Sequence, residues 1–424
     1  MTHTQPAFDL LVTGAGEVAT PLGQQALGGA ALAAPSVQRA AAIGIRGGRI
    51  AAIGPEAELR AAGADAEVHA NGGLVIPGLV DSHTHPVFLG TREGEFEDRL
   101  RGKTYLEIAQ AGGGILSSLR GVRESSVEEL VEVLLVRLDR FLALGTTTVE
   151  AKSGYGLSVA DELKSLEAIR RANELHPVDL VPTFLGAHDF PPEFRADRDG
   201  YVDLLVSEML PEVARAGTAR FFDVFTESHV FNLEQSRRLL ERARELGFGL
   251  RLHADQLTSL GGAQLAAEFG ASSADHLEHV TDAGIAALGA AGVVPVLCPL
   301  VPIFLRQEQE APGRRMIDAG LTVALSTDFN PGSCYAMSLF EVMSFGALRY
   351  GMMAGEALTA ATLNAACSLG LGAEVGSLEV GKRADLVITD LPNHHHLTYE
   401  LARSPVQTVI KAGRIVYRAG RVDR

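Results

Sequence analysis

In the stretch LVDSHTHPVF, residues 79 to 88, His83 and His85 stand one residue apart, directly behind the apolar run GGLVIPG. Residues i and i+2 of an extended strand project to the same side, so two imidazoles at this spacing can reach one ion together. Alone, the pair is weak evidence, since paired His also occur on solvated strand ends. Two later segments enlarge the set: His253 in RLHADQL and Asp328 in LSTDFN each close an apolar run. Imidazoles joined by a carboxylate, with a position left open to water, suit zinc or iron. Other groups capable of ligation or acid–base work also end apolar runs, namely Glu150 with Lys152, then His188, Glu227 and His276.

Something must bring these scattered ends to one place. Short β-rich runs alternate with helical ones: LVIPGLVDSHTH, TTTVEAKSG, VDLVPTFLGAH, RFFDVFTES, FGLRLHADQ, SADHLEH, VVPVLCP and LTVALSTDFN. Between them lie helical patterns such as SVEELVEVLLVRLDRFLALG, with acidic residues in its first turn and a terminal Gly145, and NLEQSRRLLERARELG. Eight strand–helix units predict an α/β fold, a (β/α)8 TIM-like barrel, whose chemistry collects at the C-terminal ends of the strands. Both ends of the chain read as β structure instead. AAIGIRGGRIAAIG turns at Gly47–Gly48 and VQTVIKAGRIVYRAG at Ala412–Gly413, each a two-residue hairpin signal. Hairpins are marginal alone, so residues 1–75 and 376–424 are expected to assemble one small β-sandwich module, leaving 76–375 for the barrel. The Ala/Gly-rich GQQALGGAALAAPS reads as a loop.

Composition limits the function. The chain has 424 residues, a net charge of −15 and no Lys/Arg-rich run, which argues against a nucleic-acid surface. A small anionic substrate is compatible with that charge, because one local Arg outweighs diffuse charge screened over roughly 10 Å. Only Cys298, Cys334 and Cys367 are present, at spacings that match neither a disulfide framework nor a metal knuckle, so a reducing, cytoplasmic setting is expected. The N-terminus lacks the pattern of a secretory signal. Residues 283 to 305 carry no charge but include Pro295, Pro299 and Pro302, which fits a short helix and a buried strand better than a membrane span.

PGLVDSHTH, LHADQ, ADHLEH, STDFNPGS and GSLEVGKRADLVI resemble the amidohydrolase superfamily from about residue 40 to the end. More narrowly, TREGEFEDRLRGKTYLEIAQAGGGI, TTTVEAKSGYGL and FLGAH look like its imidazolonepropionase family. The resemblance implies hydrolysis of the ring C–N bond of 4-imidazolone-5-propanoate to N-formimidoyl-L-glutamate, in histidine degradation. It implies metal ligands at His83, His85, His253 and Asp328, holding one divalent or trivalent ion, zinc or iron. It implies substrate contacts at Arg92, Tyr105, Tyr155, His188 and Gln256, with Asn330, Gly332 and Ser333 lining the pocket. Asp328, His276, His188 and Gln256 would be the catalytic groups. Gln256 stands where some relatives carry Glu; it can hydrogen-bond the ring but cannot act as a carboxylate base. Two-metal relatives use a bridging Lys at the end of the fourth strand, and RFFDVFTES has none, so a single metal is expected. A homodimer is compatible with the resemblance.

Plainer readings stand beside these. Asp328 fits a helix cap; His188 and His276 fit satisfied core histidines. Arg92 and Arg99 sit in a charged stretch and read as solvated without the family match, and Arg99 is left there. Tyr105 could pack a helix face. NHHHL, residues 393 to 397, has no fixed ligand geometry, and Cys298 reads as a buried thiol. The rival functions are a deaminase of the same superfamily acting on a cyclic amidine or nucleobase, and a non-catalytic scaffold. A neutral base offers no carboxylate for Arg92, and a scaffold would be expected to lack ligands.

Overall fold

The computed structural model describes residues 6 to 422. Its eight-stranded sheet is parallel throughout and runs in strict sequence order. The strands are Leu79–Asp81, Thr146–Lys152, Asp179–Ala187, Phe221–Thr226, Gly249–Ala254, Ser273–His276, Val294–Leu297 and Ala324–Leu325. All eight expected runs are there. The first and eighth meet beyond their ends, through a parallel bridge between Thr84 and Phe329 and through the Asp328 N–H donating to the His83 carbonyl at 3.1 Å. Asp81 tightens this seam by accepting from Thr327 Oγ1 at 2.7 Å and from the Ser326 hydroxyl. The nearly closed barrel therefore brings His83 and Asp328, far apart in sequence, side by side.

One expectation needs correcting. LVIPGLVDSHTH was read as a single run, but it is two strands: Leu74–Pro77 pairs antiparallel with Leu386–Thr389 in another sheet, and Leu79–Asp81 opens the barrel. Gly78 is the joint. A Cβ there would lie 2.3 Å from Thr147 Oγ1, so no side chain fits where the chain passes between the layers.

The chain ends build two sheets. One, ordered Arg49–Pro55, Ala41–Arg46, Phe8–Thr13, Ala64–His69, is entirely N-terminal. The other has seven strands drawn from both ends, with Leu74–Pro77 next to Leu386–Thr389. Side chains alternate across that second sheet. Val75, Leu386, Ile388 and Ile410 face the first sheet, where they meet Val12, Ile43 and Val68 in one core; Ile76, Val387 and Val409 join the barrel core. Burial on both faces explains why these strands read as unbroken apolar runs. Both hairpin turns have positive φ at their two central residues, +59° and +76° at Gly47–Gly48, +47° and +77° at Ala412–Gly413. That is the mirror-image turn that matches strand twist.

Helices cover the barrel. Val127–Ala143 begins with Ser126 and Glu129 in a reciprocal capping box, and Leu233–Glu245 with Asn232 and Gln235 in another. Residues 283 to 305 fall into helix and strand as expected, with a further short helix at Val301–Leu305, and no helix among the described residues is long and apolar enough to cross a membrane.

Candidate active site

The strand ends converge on a buried cavity lined by His85, Arg92, Tyr155, His188, His253, Gln256, His276, Asp328, Asn330 and Ser333. At its floor, Asp328 Oδ1 lies 3.4 Å from Nε2 of both His83 and His85, and His85 Nε2 lies 3.3 Å from His253 Nε2. His83 Nδ1 is 2.5 Å from Asp275 Oδ2 and His253 Nδ1 is 3.0 Å from Asp223 Oδ1. A carboxylate can only accept, so both rings carry their proton on Nδ1 and turn the bare Nε2 inward. Burial pushes the His83 and His85 imidazoles well below their ordinary pKa and lowers that of His253, which favours the neutral form that binds metal.

Lone pairs that face one another need a cation between them. His83 Nε2 and Asp328 Oδ1 are buried and make no hydrogen bond. Separations of 3.3 to 3.4 Å match the edge of a tetrahedron with bonds of about 2.0–2.1 Å, the zinc–imidazole length. The residues thus fit a divalent metal. His83, His253 and His276 also offer ligand atoms within 4.8 Å of one another, so His276 stands beside the same point. Burial opposes charge on His276, but the Glu278 carboxylate, 3.8 Å from Nδ1, and Asp328 outweigh it and raise its pKa.

On the substrate side, Arg92 is 8% exposed, with Nε and Nη2 donating to Glu95 Oε2 at 3.0 and 2.7 Å. A Cβ on Gly332 would lie 2.3 Å from Arg92 Nη1, so the guanidinium rests on that glycine. Gly332 lines an adjoining cavity together with Arg92. Asn330 lines the cavity, yet its amide is engaged locally, Nδ2 donating to the Asp328 carbonyl and Oδ1 accepting from the Gly332 and Ser333 amides. The Tyr105 side chain lies outside the described residues. Arg99, read from sequence as solvated, is instead 2% exposed and donates to the Gly332 carbonyl at 2.7 Å. Cys298 is buried, which pushes its thiol well up, away from nucleophile chemistry. His394 and His396 pair with Glu17 and Glu400.

Sequence reasoning named Glu150 and Lys152 only as polar strand ends and passed over Asp223, Arg251 and Asp275, the rest of the layer that orients the ligands. Lys152 Nζ lies 2.8 Å from both Glu150 Oε1 and Asp223 Oδ2, and Arg251 Nη2 lies 3.1 Å from Asp275 Oδ2, all fully buried. A charged residue inside an apolar strand, as in RFFDVFTES or SADHLEH, was the available signal, since a buried charge demands a partner. Lys152→Met is expected to lower stability by about 3–5 kcal/mol, because Glu150 and Asp223 lose their shared cation; a chemical denaturation midpoint close to the parent's would contradict this.

Barrel, sandwich and a His/Asp centre at the strand ends together define a metal-dependent hydrolase of the amidohydrolase type. Residues 74–416 match the Amidohydrolase family model. The chain is 52% identical over 421 residues to an imidazolonepropionase of Symbiobacterium thermophilum, covering 98% of this chain and 99% of the relative. It is 49% identical to that of Myxococcus xanthus, over 97% and 98% of the two chains. A zinc-bound adenosine deaminase from Xanthomonas campestris shares the fold, with a TM-score of 0.74 at 22% identity over 99% of this chain and 96% of that one. The chain belongs to the amidohydrolase family and, within it, to the imidazolonepropionases.

Proposed function

We propose that the chain hydrolyses the ring C–N amide bond of 4-imidazolone-5-propanoate to N-formimidoyl-L-glutamate, a step of histidine degradation. The supporting observation is that one buried cavity joins the His83, His85, His253 and Asp328 centre to Arg92, a cation suited to a small anionic heterocycle. Zinc or iron bound there supplies Lewis acidity and lowers the pKa of a water from about 15.7 to about 7.

The side chains do the rest. Asp328 takes the proton of the water attacking the ring carbonyl and passes it to the departing ring nitrogen as the C–N bond breaks. His276 donates a hydrogen bond to the oxygen as it gains charge, a contribution of about 3 kcal/mol for a well-placed donor. Gln256, 6% exposed in the lining, can hydrogen-bond the ring but cannot act as a carboxylate base. His188 Nδ1 donates to the Gly154 carbonyl at 2.9 Å, and burial holds the ring's pKa well down. Its Nε2 is then an acceptor suited to a ring N–H. Arg92 binds the propionate, backed by Glu95 and seated on Gly332.

Gly332→Ala is accordingly expected to displace Arg92 and raise KM about tenfold, equivalent to about 1.4 kcal/mol, with kcat and metal content nearly unchanged. Steady-state kinetics with metal analysis checks it, and an unchanged KM would remove Arg92 from propionate binding.

The reaction is tested with metal-quantified protein and freshly prepared imidazolone propionate, following loss of ultraviolet absorbance and identifying the product by mass. Ring opening that stops on metal removal and returns with zinc or iron is the expected result. Metallated protein that leaves the compound intact would overturn the substrate, and ammonia release from a cyclic amidine would point to a deaminase.

A further inference from the structure

Glu162 lies in the first turn of the helix Val159–Leu175 and is 0% exposed. That helix is already capped, because Ser158 accepts from the Asp161 amide. The Glu162 carboxylate serves the preceding loop instead. Its Oε2 accepts from the Gly154 amide at 2.9 Å, and its Oε1 from the Gly156 and Leu157 amides at 2.9 and 2.8 Å. These three amides bracket Tyr155, which is 2% exposed and lines the cavity.

The loop needs such an anchor. Gly154 and Leu157 have φ of +110° and +51°, and the left-handed region costs a side-chain-bearing residue about 1–2 kcal/mol. Converging N–H groups form a nest that favours an anion, so carboxylate and loop stabilise each other. The hold extends one step further, because the Gly154 carbonyl accepts from His188 Nδ1 at 2.9 Å. A Cβ on Gly154 would lie 3.1 Å from that nitrogen and 2.8 Å from the Leu185 carbonyl, so the strand end and the loop are closely fitted.

We propose that Glu162 is a positioning residue for substrate recognition, its carboxylate setting Tyr155 directly and His188 through the Gly154 carbonyl. This rests on Tyr155 and His188 contacting the substrate. Glu162 never touches the substrate; it acts by holding a strained loop in one conformation.

Glu162→Gln keeps the shape but turns an NH2 group toward amide donors. With metal content unchanged, kcat/KM for imidazolone propionate should fall about 10- to 100-fold, mostly through KM. Glu162→Asp, which keeps the charge but is too short to reach all three amides, should fall in the same direction and serves if the first variant folds poorly. In a Tyr155→Ala background the Glu162→Gln factor should shrink at least about threefold, whereas a general structural defect would give the same factor in both backgrounds. Hydrogen–deuterium exchange of the peptide spanning 153–157 should quicken about tenfold or more in Glu162→Gln, with the barrel strands unchanged. Equal factors in the two backgrounds, or kcat/KM within about twofold of the parent, would overturn the proposal. If the parent protein leaves the compound intact, exchange decides. Faster exchange then retains the loop-holding role while the substrate falls, and unchanged exchange removes Glu162 from positioning.

Discussion

Asp328→Asn is expected to fold, yet to open imidazolone propionate about 10²- to 10⁴-fold more slowly, the range for loss of a general acid–base. The backbone should not resist the change. Asp328 has φ of +50°, in the left-handed region that Asn occupies as readily as Asp. The main chain of Asp328 carries the seam around it, its N–H donating to the His83 carbonyl and its carbonyl accepting from the Asn330 side-chain Nδ2, and Asn keeps both. What disappears is the site for the proton. Single-turnover kinetics at matched metal content separates this from ligand loss, and a metallated variant within about tenfold of the parent would move the base elsewhere.

His253→Ala should lose metal and turnover together. His253 lies 3.3 Å from His85 through the two Nε2 atoms, and it is held in place by Asp223, itself held by Lys152. Removing the ring takes away one donor and leaves Asp223 with Lys152 but without its imidazole. Outer-layer partners alone are worth about 10- to 100-fold in metal affinity, so losing a ligand should exceed that. Metal analysis after dialysis, together with a turnover assay, checks the prediction. Full metal with normal turnover would exclude His253 as a ligand.

Much of this molecule was legible in one dimension. The eight apolar runs and the two hairpins are local patterns, set by period-two alternation and turn residues, and apart from the break in the first run each appears where the pattern put it; His83 and His85, read as a strand pair, lie just past the end of Leu79–Asp81. His253, His276 and Asp328 close their runs, and a barrel sends such ends to one mouth. The break at Gly78 was not legible, because it depends on Thr147, a neighbour about seventy residues away. Arg99 was misread for the same kind of reason: its neighbours in sequence are charged, but its environment is the Gly332 carbonyl on the far side of the barrel seam. Likewise Asp223, Asp275 and Arg251 are unremarkable in sequence, and Lys152 shows there only as a polar strand end, until the barrel stacks their strands and removes water. Local pattern decides which element a residue joins. Which charge neutralises which, which imidazole nitrogen holds the proton, and which loop a buried carboxylate restrains are decided by pairings across the closed barrel. Such pairings form only when chain closure brings distant residues within hydrogen-bonding distance and excludes the water that would otherwise satisfy them.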